Sequence, residues 1–136
     1  MGIILDTSVL IEAEKGRFDV KAFISGRESF PFGISAVTVS ELLHGVYRAD
    51  SEARKRHRSA FVEKVIDIFP VFIFDTQVAR IYADIWASLQ KKGVIIGAHD
   101  MMIGATAIAN GFSVATFNPR YFSRIAGLRL EILSYT

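Results

Sequence analysis

The sequence contains no cysteine. Disulfides and thiolate metal sites are excluded, and a reducing cytoplasm is the compatible and expected location. No apolar run reaches the roughly 18 residues that a membrane-spanning helix needs, so no membrane segment is expected. The opening stretch MGIILDTSVLI has no basic region ahead of it, and an aspartate interrupts it. It reads as a first strand and not as a secretory leader. Repeats, low-complexity tracts and linkers are also missing, so residues 1–136 are expected to form one domain. Charge of one sign is scarce: 16 Lys and Arg stand against 14 Asp and Glu, for a net charge of +2. That excess points only weakly to a polyanionic partner.

Apolar residues make up 51% of the chain, and the mean hydropathy is +0.32, which predicts a packed core. Short apolar runs alternate with helical patterns. GIIL (2–5), FGIS (32–35), PVFIF (70–74) and FSVAT (112–116) read as buried strands, and LRLEIL (128–133) as a shorter alternating one. Helices are expected after Asp6, over 19–25, after Ser35, over 52–67, after Asp75 and from His99 to Gly111. In the 52–67 helix, Phe61, Val65 and Ile68 are expected to share the inner side. Strands alternating with helices predict an α/β fold: a three-layer α/β/α sandwich around a mostly parallel five-stranded sheet. In such sheets ligands bind beyond the carboxyl ends of the strands.

Three carboxylates stand alone in apolar surroundings. Asp6 follows the first strand. Glu41 is the only acidic residue between Glu28 and Asp50, and Asp100 is the only one between Asp84 and Glu131. Each has a plain structural explanation. Asp6 and Asp100 suit helix N-caps, and Thr38-x-x-Glu41 has the spacing of a capping box. Caps do not require apolar neighbourhoods, however, and carboxylates brought together repel each other and raise each other's pKa. A bound divalent cation removes that penalty. Oxygen ligands without cysteine or a histidine pair point to Mg²⁺ or Mn²⁺. Such a site suits phosphodiester hydrolysis.

His44 and His99 lie near these residues in sequence and read as hydrogen-bonding neighbours more than as ligands. Arg48, Arg120 and Arg124 are candidate phosphate contacts. The stretch RADSEARKRHR (48–58) concentrates basic residues, among them Arg54, Lys55 and Arg56. It reads either as a solvated helix face or as an RNA contact.

ILDTSVLIE, ISAVTVSELLHG, GAHDMMIGATAIANG and ATFNPRYFSRIAGLRLE occur in this order and cover the chain from end to end. Together they resemble the PIN domain family, and more narrowly the VapC-like ribonuclease toxins of type II toxin–antitoxin systems. The resemblance implies a Mg²⁺- or Mn²⁺-dependent endoribonuclease acting on RNA. It also implies a homodimer held in check by a small VapB-like antitoxin, whose C-terminal segment wraps the toxin. Asp6, Glu41 and Asp100 fall on the family's acidic triad, as catalytic and metal-binding residues. Thr116 matches a small polar position, and Thr7 or Ser8 would steady the site.

One departure stands out. The family often carries a fourth acid after the fourth strand, where this chain reads TFNPRYF. Asn118 and Tyr121 occupy the two places, so Asn118 would contribute hydrogen bonds without charge. The alternative reading is therefore a catalytically impaired PIN-like module that binds RNA or a partner. A haloacid-dehalogenase phosphatase needs Asp-x-Asp, which Asp6-Thr7-Ser8 does not supply. A receiver domain needs an acidic pair after strand one and a late lysine, and neither is present.

Overall fold

The structure is a computed structural model that describes residues 2–135. Five strands form one sheet: β1 (Ile3–Leu5), β2 (Phe32–Ser35), β3 (Val71–Phe72), β4 (Ser113–Thr116) and β5 (Leu130–Ile132). Their order is β3-β2-β1-β4-β5, and every pairing is parallel. The helices are α1 (Thr7–Glu14), α2 (Val20–Ile24), α3 (Ala36–Tyr47), α4 (Glu52–Ile68), α5 (Thr76–Lys91), α6 (Ala98–Asn110) and α7 (Pro119–Phe122).

Alternation along β1 builds the two cores. Ile3 and Leu5 pack with Val9, Leu10, Leu42, Val46, Val62 and Val65 of α1, α3 and α4. Ile4 points the other way, into Val78, Ile85 and Leu89 of α5 and Met101, Ile103 and Ala105 of α6. A strand buried on both faces needs apolar residues at every position, which is why GIIL carries no polar alternation. The three-layer α/β/α sandwich expected from the sequence is the observed architecture, with a fully parallel sheet.

Helix α6 lies against the middle of the sheet, and its small residues suit that place. A side chain at Gly104 would put its Cβ 2.9 Å from Ile125 Cδ1, so glycine lets the chain after α7 cross closely. Gly111 ends the helix at φ 69°, and the Phe112 N–H turns back to the Ala107 carbonyl at 2.8 Å.

Two expectations need correction. The apolar run 70–74 yields only the two-residue β3, an edge strand in which Val71 is exposed, while Ile73 and Phe74 lie beyond it in the open. Hydropathy alone does not distinguish an edge strand from a central one. In α4 the inner face is set by Val62 and Val65, and Ile68 is 60% exposed at the helix end. The helical turn α7 was not expected at all. Pro119 at its first position is the local signal for it.

The connections from β1 through β3 step toward one edge. The connection from β3 to β4 then crosses back, and β5 follows on the other side. The sheet order therefore reverses between β1 and β4. Chains leaving these two strands diverge, and a crevice opens at their carboxyl ends.

Candidate active site

Asp6 is the first residue beyond β1. Its backbone N–H donates to the Ala115 carbonyl of β4 at 3.0 Å, which ties it to the reversal point. It occupies the N-cap position of α1, but its carboxylate makes no capping hydrogen bond. Instead the hydroxyls of Ser8 and Thr116 each donate to Asp6 Oδ2 at 2.8 Å. Those hydroxyls also accept, Ser8 from the Phe117 N–H at 3.2 Å and Thr116 from the Asn118 N–H at 2.9 Å. The turn after β4 is thus latched to the carboxylate that follows β1. Asp6 is only 5% exposed. Burial raises its pKa most. The Ser8 and Thr116 hydroxyls and the Thr7 N–H oppose that, and the negative charge of Glu41 adds to the rise.

Asp100 sits in the first turn of α6, whose N-cap is Gly97, so it does not cap that helix. Its pKa is pushed up to about 6, first by burial, then by the charges of Asp6 and Glu41, with His99 acting the other way. Asp6 and Asp100 line one cleft of about 500 Å³, together with Phe117, Asn118, Pro119, Arg120, Tyr121 and Phe122.

Glu41 comes from the middle of α3. Ser35 caps that helix by accepting from the N–H groups of Val37 and Thr38, so the capping box between Thr38 and Glu41 is not formed. Thr7 Oγ1 donates to Glu41 Oε1 at 2.6 Å, and the Thr7 and Thr38 hydroxyls are 3.0 Å apart. The other oxygen, Oε2, stands 3.4 Å from His99 Nδ1 at the start of α6. Glu41 lines a second hollow of about 270 Å³, shared with Arg48 and Arg58, on the flank of the cleft. Among the described residues, no three Asp, Glu or His side chains are already gathered around a metal position. Glu41 is drawn to Thr7 and His99, while Asp6 is held by Ser8 and Thr116.

The sequence-derived candidates therefore fall into groups. Asp6, Asp100, Asn118 and Arg120 line the cleft. Ser8 and Thr116 hold Asp6, and Thr7 holds Glu41. Arg124 borders an adjoining hollow with Arg120 and Tyr121. Arg54, Lys55 and Arg56 line none of these spaces. Arg54 is engaged with Asp50 at 2.9 Å, and Lys55 Nζ lies 5.9 Å from the Tyr47 ring centre. His44 and His57 are exposed on α3 and α4. Two features escaped the sequence reading. Thr38, fully buried beside Thr7, was visible only as one end of a capping-box spacing. The wall formed by Phe117, Pro119, Tyr121 and Phe122 depends on the unexpected turn α7.

The PIN domain model matches residues 3–128. The chain belongs to the PIN domain family. Its relatives place it more narrowly among the VapC-type PIN domains. It is 37% identical over 134 residues to Ribonuclease VapC1 of Rickettsia felis, covering 98% of each chain. Among solved structures, the DNA-bound VapBC of Salmonella typhimurium superposes with a TM-score of 0.87 at 32% identity, over 97% of this chain and 98% of that one. VapBC2 of Rickettsia felis, solved on a fragment of promoter DNA, reaches a TM-score of 0.90 at 24% identity, over 98% of this chain and 100% of that one. The second likeness speaks for the PIN fold alone. No helix among the described residues is long and apolar enough to cross a membrane.

Proposed function

We propose that this PIN domain is a metal-dependent endoribonuclease, the toxin of a VapBC-type toxin–antitoxin pair. The observation that carries the proposal is the presence of Asp6 and Asp100 in the lining of one cleft, both with raised pKa, Asp6 sensing the charge of Glu41 and Asp100 those of Asp6 and Glu41. A fold gains nothing from such crowding, and a hard cation would relieve it. The all-oxygen donor set fits Mg²⁺ or Mn²⁺. Asp6 and Asp100 would hold the ion from the cleft, and Glu41 would add its charge from the flank. When bound, the ion would supply an ionised water and charge stabilisation at the phosphoryl oxygens.

The chain's own residues do the remaining work. Ser8 and Thr116 fix Asp6 through Oδ2 and keep it ionisable despite burial. Asn118, on the latched turn, offers a hydrogen-bonding side chain without charge. Arg120 on the cleft wall offsets the repulsion between an acidic floor and a polyanionic substrate. The arginines on the flank, Arg48 first, extend that positive rim. The relatives named VapC and the VapBC complexes support a small VapB-like antitoxin as partner, and a homodimer is the expected assembly.

The test is cleavage of total RNA in Mn²⁺ by wild type and by Asp100→Asn, with folding checked by circular dichroism. Cleavage by wild type alone is the expected result. A folded wild type that is as inert as Asp100→Asn on every RNA tried overturns the enzyme reading in favour of an RNA- or partner-binding module.

A further inference from the structure

The cleft that holds Asp6 and Asp100 adjoins a hollow of about 210 Å³ lined by Gly93, Val94, Ile95, Arg120, Tyr121 and Arg124. Arg120 and Tyr121 border both spaces. Among the described residues, no carboxylate lines the second hollow, and neither Arg120 nor Arg124 forms an ion pair. A positively charged space therefore stands beside an acidic one. Tyr121 is 41% exposed, whereas Phe122 next to it is buried and anchors the turn. Phe117, also in the cleft lining, is engaged by Phe18 at 5.3 Å and by Tyr135 at 5.1 Å between ring centres. What meets the Tyr121 ring is the Arg120 guanidinium, 5.2 Å from the ring centre. The backbone beneath is fixed. The Asn118 N–H donates to Thr116 Oγ1 at 2.9 Å, and the Ser123 and Arg124 N–H groups donate to the Pro119 and Tyr121 carbonyls at 2.9 and 3.0 Å. An ordered turn thus presents an aromatic ring to solvent between two arginines, and little freedom is lost when something covers it.

We propose that Tyr121 is a stacking platform for one unpaired base of an RNA strand crossing the cleft, with Arg120 and Arg124 taking neighbouring phosphates. The proposal rests on the nuclease reading for its substrate and names a subsite of it. An aromatic ring accepts the face of any base, and adjacent arginines add charge attraction and cation–π contact. A base inside a duplex is already stacked and paired, so the platform selects single-stranded RNA. The ring binds the substrate outside the acidic site, where the carboxylates repel phosphate.

The probe is the shortest end-labelled single-stranded RNA that the full-length wild type binds, followed by anisotropy in chelator and again in Mn²⁺. Copies lacking one base at successive positions locate the stacked base. Loss of that base is expected to weaken binding to wild type by about 5- to 100-fold, the range for a base on an aromatic ring. Tyr121→Leu loses the same factor on intact RNA, and removing the base then costs nothing further. Tyr121→Phe and Tyr121→Trp keep a ring and stay near wild type. A role in packing alone would leave the cost of base removal in place and make the Trp variant worse than the Leu variant. The salt dependence of binding stays the same in Tyr121→Leu and drops by about one phosphate contact in Arg124→Gln. Unchanged RNA affinity in folded Tyr121→Leu, or a base-removal cost that persists in it, overturns the platform and leaves the ring as a surface for a protein partner. A wild type that binds no RNA in either condition overturns the platform and the nuclease reading together. A wild type that binds RNA through Tyr121 yet cleaves none in Mn²⁺ overturns the nuclease reading and leaves the platform standing.

Discussion

Asp6 and Asp75 begin alike. Each precedes a threonine, each has extended backbone, and each is the N-cap of its helix. Their carboxylates end in different places. Asp75 is exposed and accepts the Val78 N–H at 3.0 Å, as a capping aspartate does. Asp6 is buried and leaves its helix uncapped, its carboxylate taken by Ser8 and Thr116. The cause is the neighbouring strand. Asp6 leaves the central β1, and β4 alongside delivers Thr116 at the same level. Asp75 follows β3, which is the edge strand among the described residues, and its exposed carboxylate goes to its own helix. A local signal for capping is therefore obeyed where nothing competes and overridden where the sheet supplies a second set of donors.

The largest effect that sharpens this contrast is on cleavage. Asp6→Asn is expected to reduce RNA cleavage by more than the roughly 100-fold at which supporting residues stop, and Asp75→Asn to leave it unchanged. Equal losses in the two variants, measured on one RNA in excess Mn²⁺, would erase the distinction.

Stability in the presence of a chelator runs the opposite way. Asp75→Ala removes a working cap and costs about 1 kcal/mol in denaturant unfolding. Asp6→Asn removes a buried charge while its amide oxygen still accepts from the two hydroxyls, so no loss is expected at neutral pH.

Acidity gives the next effect. Asp100 in the folded chain has a pKa near 6 against an ordinary value of 3.8, so the folded state holds its proton more tightly. Its contribution to stability is complete below the ordinary value and is lost as pH rises through about 6. Asp6, also raised, acts in the same direction. Metal-free wild type should therefore lose stability from pH 4 to pH 6.5 relative to Asp100→Asn, by about 1–2 kcal/mol after allowance for the partial exposure of Asp100. Thermal melts of both proteins across this range in chelator are the check. A flat difference between them would mean that Asp100 is not strained by its neighbours.

The smallest expected effect concerns the cations. Arg120 on the cleft wall should matter more to RNA binding than Arg54, which is already engaged with Asp50. Arg120→Glu is expected to flatten the salt dependence of RNA binding by about one phosphate contact, and Arg54→Glu by less. The reverse order, read from anisotropy titrations at several salt concentrations, would return the 48–58 cluster to the substrate path.

Much of the molecule was legible in one dimension. Short, mostly apolar runs at 2–5, 32–35 and 112–116 point to strands covered on both faces, and the helices between them point to a parallel sheet. The isolation of Asp6, Glu41 and Asp100 in apolar stretches marked them, because a carboxylate is costly there without a purpose. Other features had no local signature. The run at 70–74 is as apolar as the others, yet its place at the sheet edge leaves most of it exposed. The Thr38-x-x-Glu41 spacing matched a cap, yet Ser35 caps that helix and Thr38 turns to Thr7, which is 31 residues away in the chain. Burial and hydrogen-bond partnership depend on which elements lie side by side. That is decided by the order in which the strands pair, and no single stretch of sequence contains it.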